Sequence, residues 1–136
     1  MVLFLVGWSL TTLSLSWVSY REWGIVRGAS LGIVSTLREA QGEAIASRFS
    51  QALYFFRKGE GESLPHYEWW EKTTEGNWEE KKRVLLSTVL DFKNSLQIRF
   101  APSGAPSPTG TVFLLSKHGF RQQIAVSIGT GRVDLK

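Results

Sequence analysis

Residues 1–20, MVLFLVGWSLTTLSLSWVSY, decide how the rest of this chain can be arranged. No side chain in the stretch is charged, and Arg21 and Glu22 are the first ionisable ones. As a helix it rises about 30 Å, the thickness of a bilayer's hydrocarbon core. Ser9, Thr11, Thr12, Ser14, Ser16 and Ser19 dilute its apolar residues, but helical hydroxyls can bond back to carbonyls one turn earlier. Trp17 and Tyr20 fall where an aromatic belt marks a membrane interface. A cleaved signal peptide is disfavoured, because there is no basic start and no A-x-A-like site after the apolar run. A buried core helix competes with a retained N-terminal membrane helix, and the membrane helix is the expectation. No residue precedes the run for the positive-inside rule to count, so the chain reads as one whose start is assigned late.

Working outward, the helical signal continues past Tyr20. There is no proline before Pro65, and Trp23, Val26, Ser30, Ile33, Leu37, Ala40 and Ala44 recur every three or four residues. That spacing predicts one apolar face on a helix running to about Ile45. Arg21, Arg27, Arg38, Glu39 and Glu43 supply the polar positions. Such a helix is too long to stand alone in a globular domain, so its first half must bury against lipid or partner chains. Gly24, Gly28 and Gly32 stand four residues apart and share a side. Each costs about 1 kcal/mol relative to alanine inside a helix. Close approach of a neighbouring helix would account for that cost, and so would a locally weak, hinge-like helix.

From Ser47 the period changes. Alternation over 48–56 is followed by the turn-rich KGEGES at 58–63. Short strands are predicted at 66–73, 77–81, 84–89, 96–100, 111–116, 121–128 and 133–135. Pro102, Pro106 and Pro108 mark a loop, since proline cannot donate to a ladder. The expected class is α+β, a long N-terminal helix packed against a small antiparallel β-sheet domain. The division is 1–46 for the helix, with 1–20 in membrane or filament core and 21–46 amphipathic, and 47–136 for the β-rich domain.

With 136 residues the chain has room for one small domain plus an extension, and its formal charge of +4 is only mildly basic. Zero cysteines exclude disulfides, thiolate metal sites and cysteine nucleophiles. His66 and His118 lack metal-ligand spacing and read as surface histidines. Glu68, Glu71, Glu75, Glu79 and Glu80 read as a solvated edge instead of a catalytic pair. Gly129–Gly131 reads as a hairpin turn, because no helix follows it to receive a phosphate. Nothing here makes an enzyme or implies a metal or cofactor. Trp69 and Trp70 are adjacent, so a strand would send them to opposite faces, one into the core and one outward as a shield or binding anchor. Lys117, Arg121, Arg132 and Lys136 form the only basic cluster and are candidate phosphate contacts.

Two passages resemble the GspH/FimT branch of the type IV pilin-like proteins, which includes minor pseudopilins of competence pili. The first is Leu37–Phe56, where Glu43, Ala44 and Ile45 match the family's helix end leading into its first strand. In the second, Phe100, Gly104, Gly110, Thr111, Val126, Ser127, Gly131, Arg132 and Val133 match its C-terminal pattern in order and spacing. The family's basic leader, its processing site and the glutamate at the fifth mature position have no counterpart here. The resemblance implies a minor pilin or pseudopilin that assembles through its helix into a secretion, pilus or DNA-uptake filament. Its partners would be other pilin-like subunits, the membrane assembly machinery and, before assembly, the lipid bilayer. It would sit as a single span in the inner membrane with its C-terminal domain outside the cytoplasm, then enter a periplasmic or cell-surface filament. The alternatives are a receptor for double-stranded DNA on the same scaffold and an unrelated single-span protein with a β ligand-binding domain.

Overall fold

The apolar spacing past Tyr20 becomes part of one helix, α1 (Val2–Ser47), in the computed structural model. The structure describes residues 2–59, 64–107, 110–126 and 133–135, with the side chains of 2–19 and 134–135 outside the description. Among the described residues no helix is long and apolar enough to cross a membrane. The span expected over 1–20 falls almost wholly on the side chains left undescribed.

The helix stops where Arg48 turns left-handed, at φ 63°. Its N–H still reaches the Ala44 carbonyl at 3.1 Å, which satisfies one of the carbonyls orphaned at the helix end. Among the described residues nine strands follow: β1 (Gln51–Phe56), β2 (His66–Lys72), β3 (Trp78–Leu85), β4 (Leu90–Phe92), β5 (Leu96–Phe100), β6 (Pro106–Ser107), β7 (Gly110–Ser116), β8 (Arg121–Val126) and β9 (Val133–Leu135). They form two antiparallel sheets, ordered β3-β2-β1-β5-β6 and β4-β7-β8-β9. This is the expected α+β class.

One face of α1 lies across both sheets. Ile33, Leu37, Ala40 and Ala44 are fully buried, in one core with Leu53 and Phe55 of β1, Ile98 and Phe100 of β5, and Leu114 and Ile124 of the second sheet. Burying Ile33 and Leu37 contributes about 1.5–3 kcal/mol each. Ser30, on the same face, donates its hydroxyl to the Val26 carbonyl at 2.7 Å, so its burial leaves no orphan. Gln51 of β1 is another buried polar residue. Its Oε1 accepts the Trp69 indole N–H at 2.7 Å, while its Nε2 reaches Glu71 at 3.1 Å.

Five expectations need correction, the first being that Glu68 belongs to a solvated edge: it is buried and paired with Arg83 at 2.7 Å. Trp23 does not belong to the buried face: it is 46 % exposed, and the stripe passes through Glu22 instead. There is no strand over 84–89. β3 runs on to Leu85 because β2 pairs with it as far as His66, and a turn closed by Leu90 N–H to the Ser87 carbonyl then leads into β4. Within the proline loop, Pro106–Ser107 is a short strand on β5, at the sheet edge where a missing N–H costs no ladder bond. His66 is buried, not a surface residue; its ring stacks on Phe56 at 4.7 Å and its Nδ1 lies 3.2 Å from the Leu64 carbonyl.

Gly104 shows why a glycine is needed where the loop after β5 meets the helix. Its φ is +86°, and an added Cβ would come within 2.8 Å of Ile45. Its carbonyl accepts from Gln41 Nε2 at 3.0 Å, which ties the loop to α1.

Candidate functional site

The side of α1 turned away from the sheets carries an open stripe. Tyr20, Trp23, Gly24, Arg27, Gly28 and Leu31 follow one another at helical spacing and are all exposed. Tyr20 is 72 % and Leu31 49 % exposed, values high for large apolar side chains. The Arg27 guanidinium lies over the Trp23 ring at 5.4 Å, which braces the indole against the helix. A methyl group added at Gly24 or Gly28 would meet nothing within 4 Å apart from the helix itself.

Gly32 parts from this line. Four residues turn a helix by about 40° beyond a full turn, so a line of every fourth residue drifts around it. By Gly32 the drift has brought the line to the sheet, where an added Cβ would lie 3.9 Å from the Tyr67 hydroxyl. Burial pushes the Tyr67 phenol above its ordinary value, and a hydrogen bond with Thr36 works against that rise.

Where α1 leaves the apolar stretch, Glu22 fastens it to the second sheet. Its carboxylate is 5 % exposed and accepts the His118 backbone N–H at 2.7 Å and a contact from the His118 ring. The Ser116 hydroxyl is the largest cause holding this carboxyl below its ordinary value; burial opposes it, and the His118 backbone and ring assist. Ser116 and His118 belong to the β7–β8 turn, closed by Ser116 N–H to the Phe120 carbonyl at 2.9 Å. The Glu22–His118 clasp was missed by sequence reasoning. The available signal was the buried stripe itself, since counting back four from Val26 reaches Glu22.

Of the basic cluster, Lys117 and Arg121 are exposed and line one cleft of about 430 Å³. Lys93 joins them, its ammonium 5.2 Å from the Phe113 ring. Lys93 was not legible as a member, because only the pairing of β4 with β7 brings it there. Arg132 and Lys136, like the Gly129–Gly131 turn, lie outside the described residues. Among the described residues no group of acidic and histidine side chains could hold a metal.

The long helix laid across two small antiparallel sheets is similar in fold to two solved structures. One structure of the minor pseudopilin EpsH from the Type 2 Secretion System of Vibrio cholerae matches with a TM-score of 0.67 at 13 % identity, over 82 % of this chain and 95 % of that one. A crystal structure of the same pseudopilin matches at 0.67 and 11 % identity, covering 82 % of this chain and 93 % of the other. No model of a known protein family and no curated protein matches the chain.

Proposed function

We propose that this chain is a minor pilin or pseudopilin of the GspH/FimT branch, a structural subunit with no catalytic role. Its helix anchors it in the inner membrane through 1–20 and then packs into a filament, while 47–136 is carried outside the cytoplasm. The observation that carries this reading is the open stripe of α1. Large apolar side chains and two glycines face outward there, and a neighbouring helix can approach closely over Gly24 and Gly28. The pseudopilin fold of EpsH supports the same reading. The partners are therefore other pilin-like subunits and their assembly machinery, with the bilayer holding the apolar half before assembly.

The absence of cysteine makes the test direct. Single cysteines placed by Gly28→Cys or Leu31→Cys and labelled with a maleimide–benzophenone should photo-cross-link the subunit to neighbouring pilin-like subunits. A cysteine at Ala44, which is buried against the sheets, should not. Equal cross-linking from all three positions, or none from any, would overturn the reading.

A second reading, a receptor for double-stranded DNA, rests on Lys93, Lys117 and Arg121 lining one cleft. So few cations neutralise only a few phosphates, and log K against log salt should slope at roughly −2 to −4. Gel shifts comparing the wild type with Arg121→Ala at low salt test it. Binding that is absent, or unchanged by the substitution, removes it.

A further inference from the structure

The five-stranded sheet has a second face that neither the helix nor the filament reading uses. Strand alternation turns Leu53 and Phe55 of β1 into the core and leaves Tyr54 and Phe56 half-buried on the solvent side. Across the strands, Tyr54 faces Glu68 and Ala52 faces Trp70. Trp78 completes the set from β3, a strand whose register with β2 shifts between Trp69 and Trp70. Tyr54, Phe56, Glu68, Trp70 and Trp78 line one shallow cleft of about 280 Å³.

Three neighbouring rings on this face stack in sequence. Tyr54 and Phe56 are stacked with an interplanar angle of 19°, and Phe56 continues onto His66 at 14°. Ala52, opposite Trp70 in the strand pairing, is fully buried. The polar groups around the rings are held in place. Glu68 is 7 % exposed, bonded to Arg83 at 2.7 Å and approached by the Trp70 indole N–H at 3.4 Å. The Gln97 amide oxygen, in the orientation that satisfies both groups, accepts from Arg99 at 3.0 Å, and Arg99 lies over Trp78 at 5.4 Å.

We propose that this face binds a neutral saccharide chain. An aromatic π-face is negative, and the C–H face of a pyranose is apolar with a slight positive charge, so the two stack; the half-buried Trp70 and Trp78 offer that surface, since the stacked Tyr54, Phe56 and His66 cover one another. Hydroxyls at the sugar's edge need a few fixed donors and acceptors, which Glu68, Arg99 and Gln97 supply beside the rings. Charge argues against a polyanion here. Arg83 is matched by Glu68 and by Glu80 at 3.0 Å, so the face lacks the surplus of cations that phosphates require. The open form of the cleft suits a chain lying along the sheet more than a small molecule enclosed in a cavity. This site lies on the opposite side of the domain's core from the helix stripe, and its test is independent of the pilin reading.

The test uses the purified full-length chain in a detergent without a sugar headgroup. Cellohexaose and the hexamer of β-1,4-linked N-acetylglucosamine are titrated while the indole N–H resonances are followed by NMR. At least one of the two should shift the Trp70 and Trp78 signals saturably and leave Trp23 unmoved. Trp78→Ala should weaken that binding about tenfold or more, the loss of one stacked ring. Arg99→Met, which keeps the bulk of the side chain, should weaken it without disturbing the fold and serves where Trp78→Ala fails to fold. Trp70 and Trp78 signals that stay fixed with both oligosaccharides overturn the proposal. So does binding that survives Trp78→Ala and Arg99→Met. A Trp78→Ala chain that folds, binds neither sugar differently from wild type and fails to cross-link to its neighbours would make this face a subunit interface instead.

Discussion

The two sides of α1 differ less in their residues than in what covers them. The inward side runs Glu22, Val26, Ser30, Ile33, Leu37, Ala40 and Ala44, all nearly or fully buried. Its outward side runs Tyr20, Trp23, Gly24, Arg27, Gly28 and Leu31, all exposed. Judged by size and hydrophobicity, Tyr20, Trp23 and Leu31 would be assigned to a core sooner than Glu22 or Ser30. The inward side can hold a glutamate and a serine because each finds partners, Glu22 in the β7–β8 turn and Ser30 on its own helix. The outward side keeps large apolar groups in water although folding of the isolated chain gains little from them. Such an arrangement is what a helix destined for a second packing event requires.

The largest effect should come from the inward side. Leu37→Ala should destabilise the fold by about 2–5 kcal/mol, whereas Leu31→Ala should stay within about 0.5 kcal/mol. Urea midpoints of the two variants measure the difference directly. Equal shifts would mean that the two sides of the helix are not distinct.

Next comes the loop that grips the edge of the inward side. Gly104→Ala forces an L side chain into φ +86° and toward Ile45. The cost should be about 1–2 kcal/mol. Ile45→Ala relieves the contact but not the backbone strain, so the double variant should recover only part of the loss. Full recovery would show that crowding alone decides the site.

The Glu22 clasp predicts a pH dependence. Its carboxyl lies below the ordinary value of 4.5 in the folded chain. The unfolded chain therefore takes up the proton first, and the stabilisation is complete above that ordinary value and lost as pH falls through the folded one. Glu22→Gln should flatten this acid limb and leave the urea midpoint near pH 7 lower than that of the wild type. An unchanged acid limb would show that the carboxylate does not fasten the helix to the turn.

The smallest change in stability belongs to the outward glycines. Gly28→Leu should stabilise the isolated subunit slightly, by less than about 1 kcal/mol, since nothing crowds the added side chain and leucine is the better helix former. Yet, if the proposed filament role holds, the bulk should block close approach of a neighbouring helix and reduce cross-linking to pilin-like partners. A variant that gains stability and still assembles normally would leave the glycines without a packing role.

Much of this architecture could be read from local pattern. The period of three to four residues between Val26 and Ala44 located the buried face of α1, and alternation with turn residues located most strands, because both follow from backbone geometry. The opposed directions of Trp69 and Trp70 followed from the pleat alone, with Trp69 in the core and Trp70 on the sheet's outer side. Ahead of Val26, spacing admits both Trp23 and Glu22, three and four residues back, and hydrophobicity favours Trp23, yet it is Glu22 that the fold buries. Of the candidate helix-packing residues, Gly24 and Gly28 stand on the open side and Gly32 against Tyr67. That split follows from helical drift but becomes meaningful only when the position of the sheet is known.

By itself the sequence determined the α+β order, one long helix followed by short strands, since that depends on residues close together in the chain. Only the tertiary structure decided what depends on distant pairings. β4 against β7 carries Lys93 to Lys117 and Arg121, and the helix crossing the second sheet lets Glu22 meet a turn 96 residues away. The pairing of β1 with β2 and of β2 with β3 assembles Tyr54, Phe56, Trp70 and Trp78 on one face. Periodicity records which way a side chain points relative to its own backbone, and strand order and register, set by packing of the whole core, record what it will meet there.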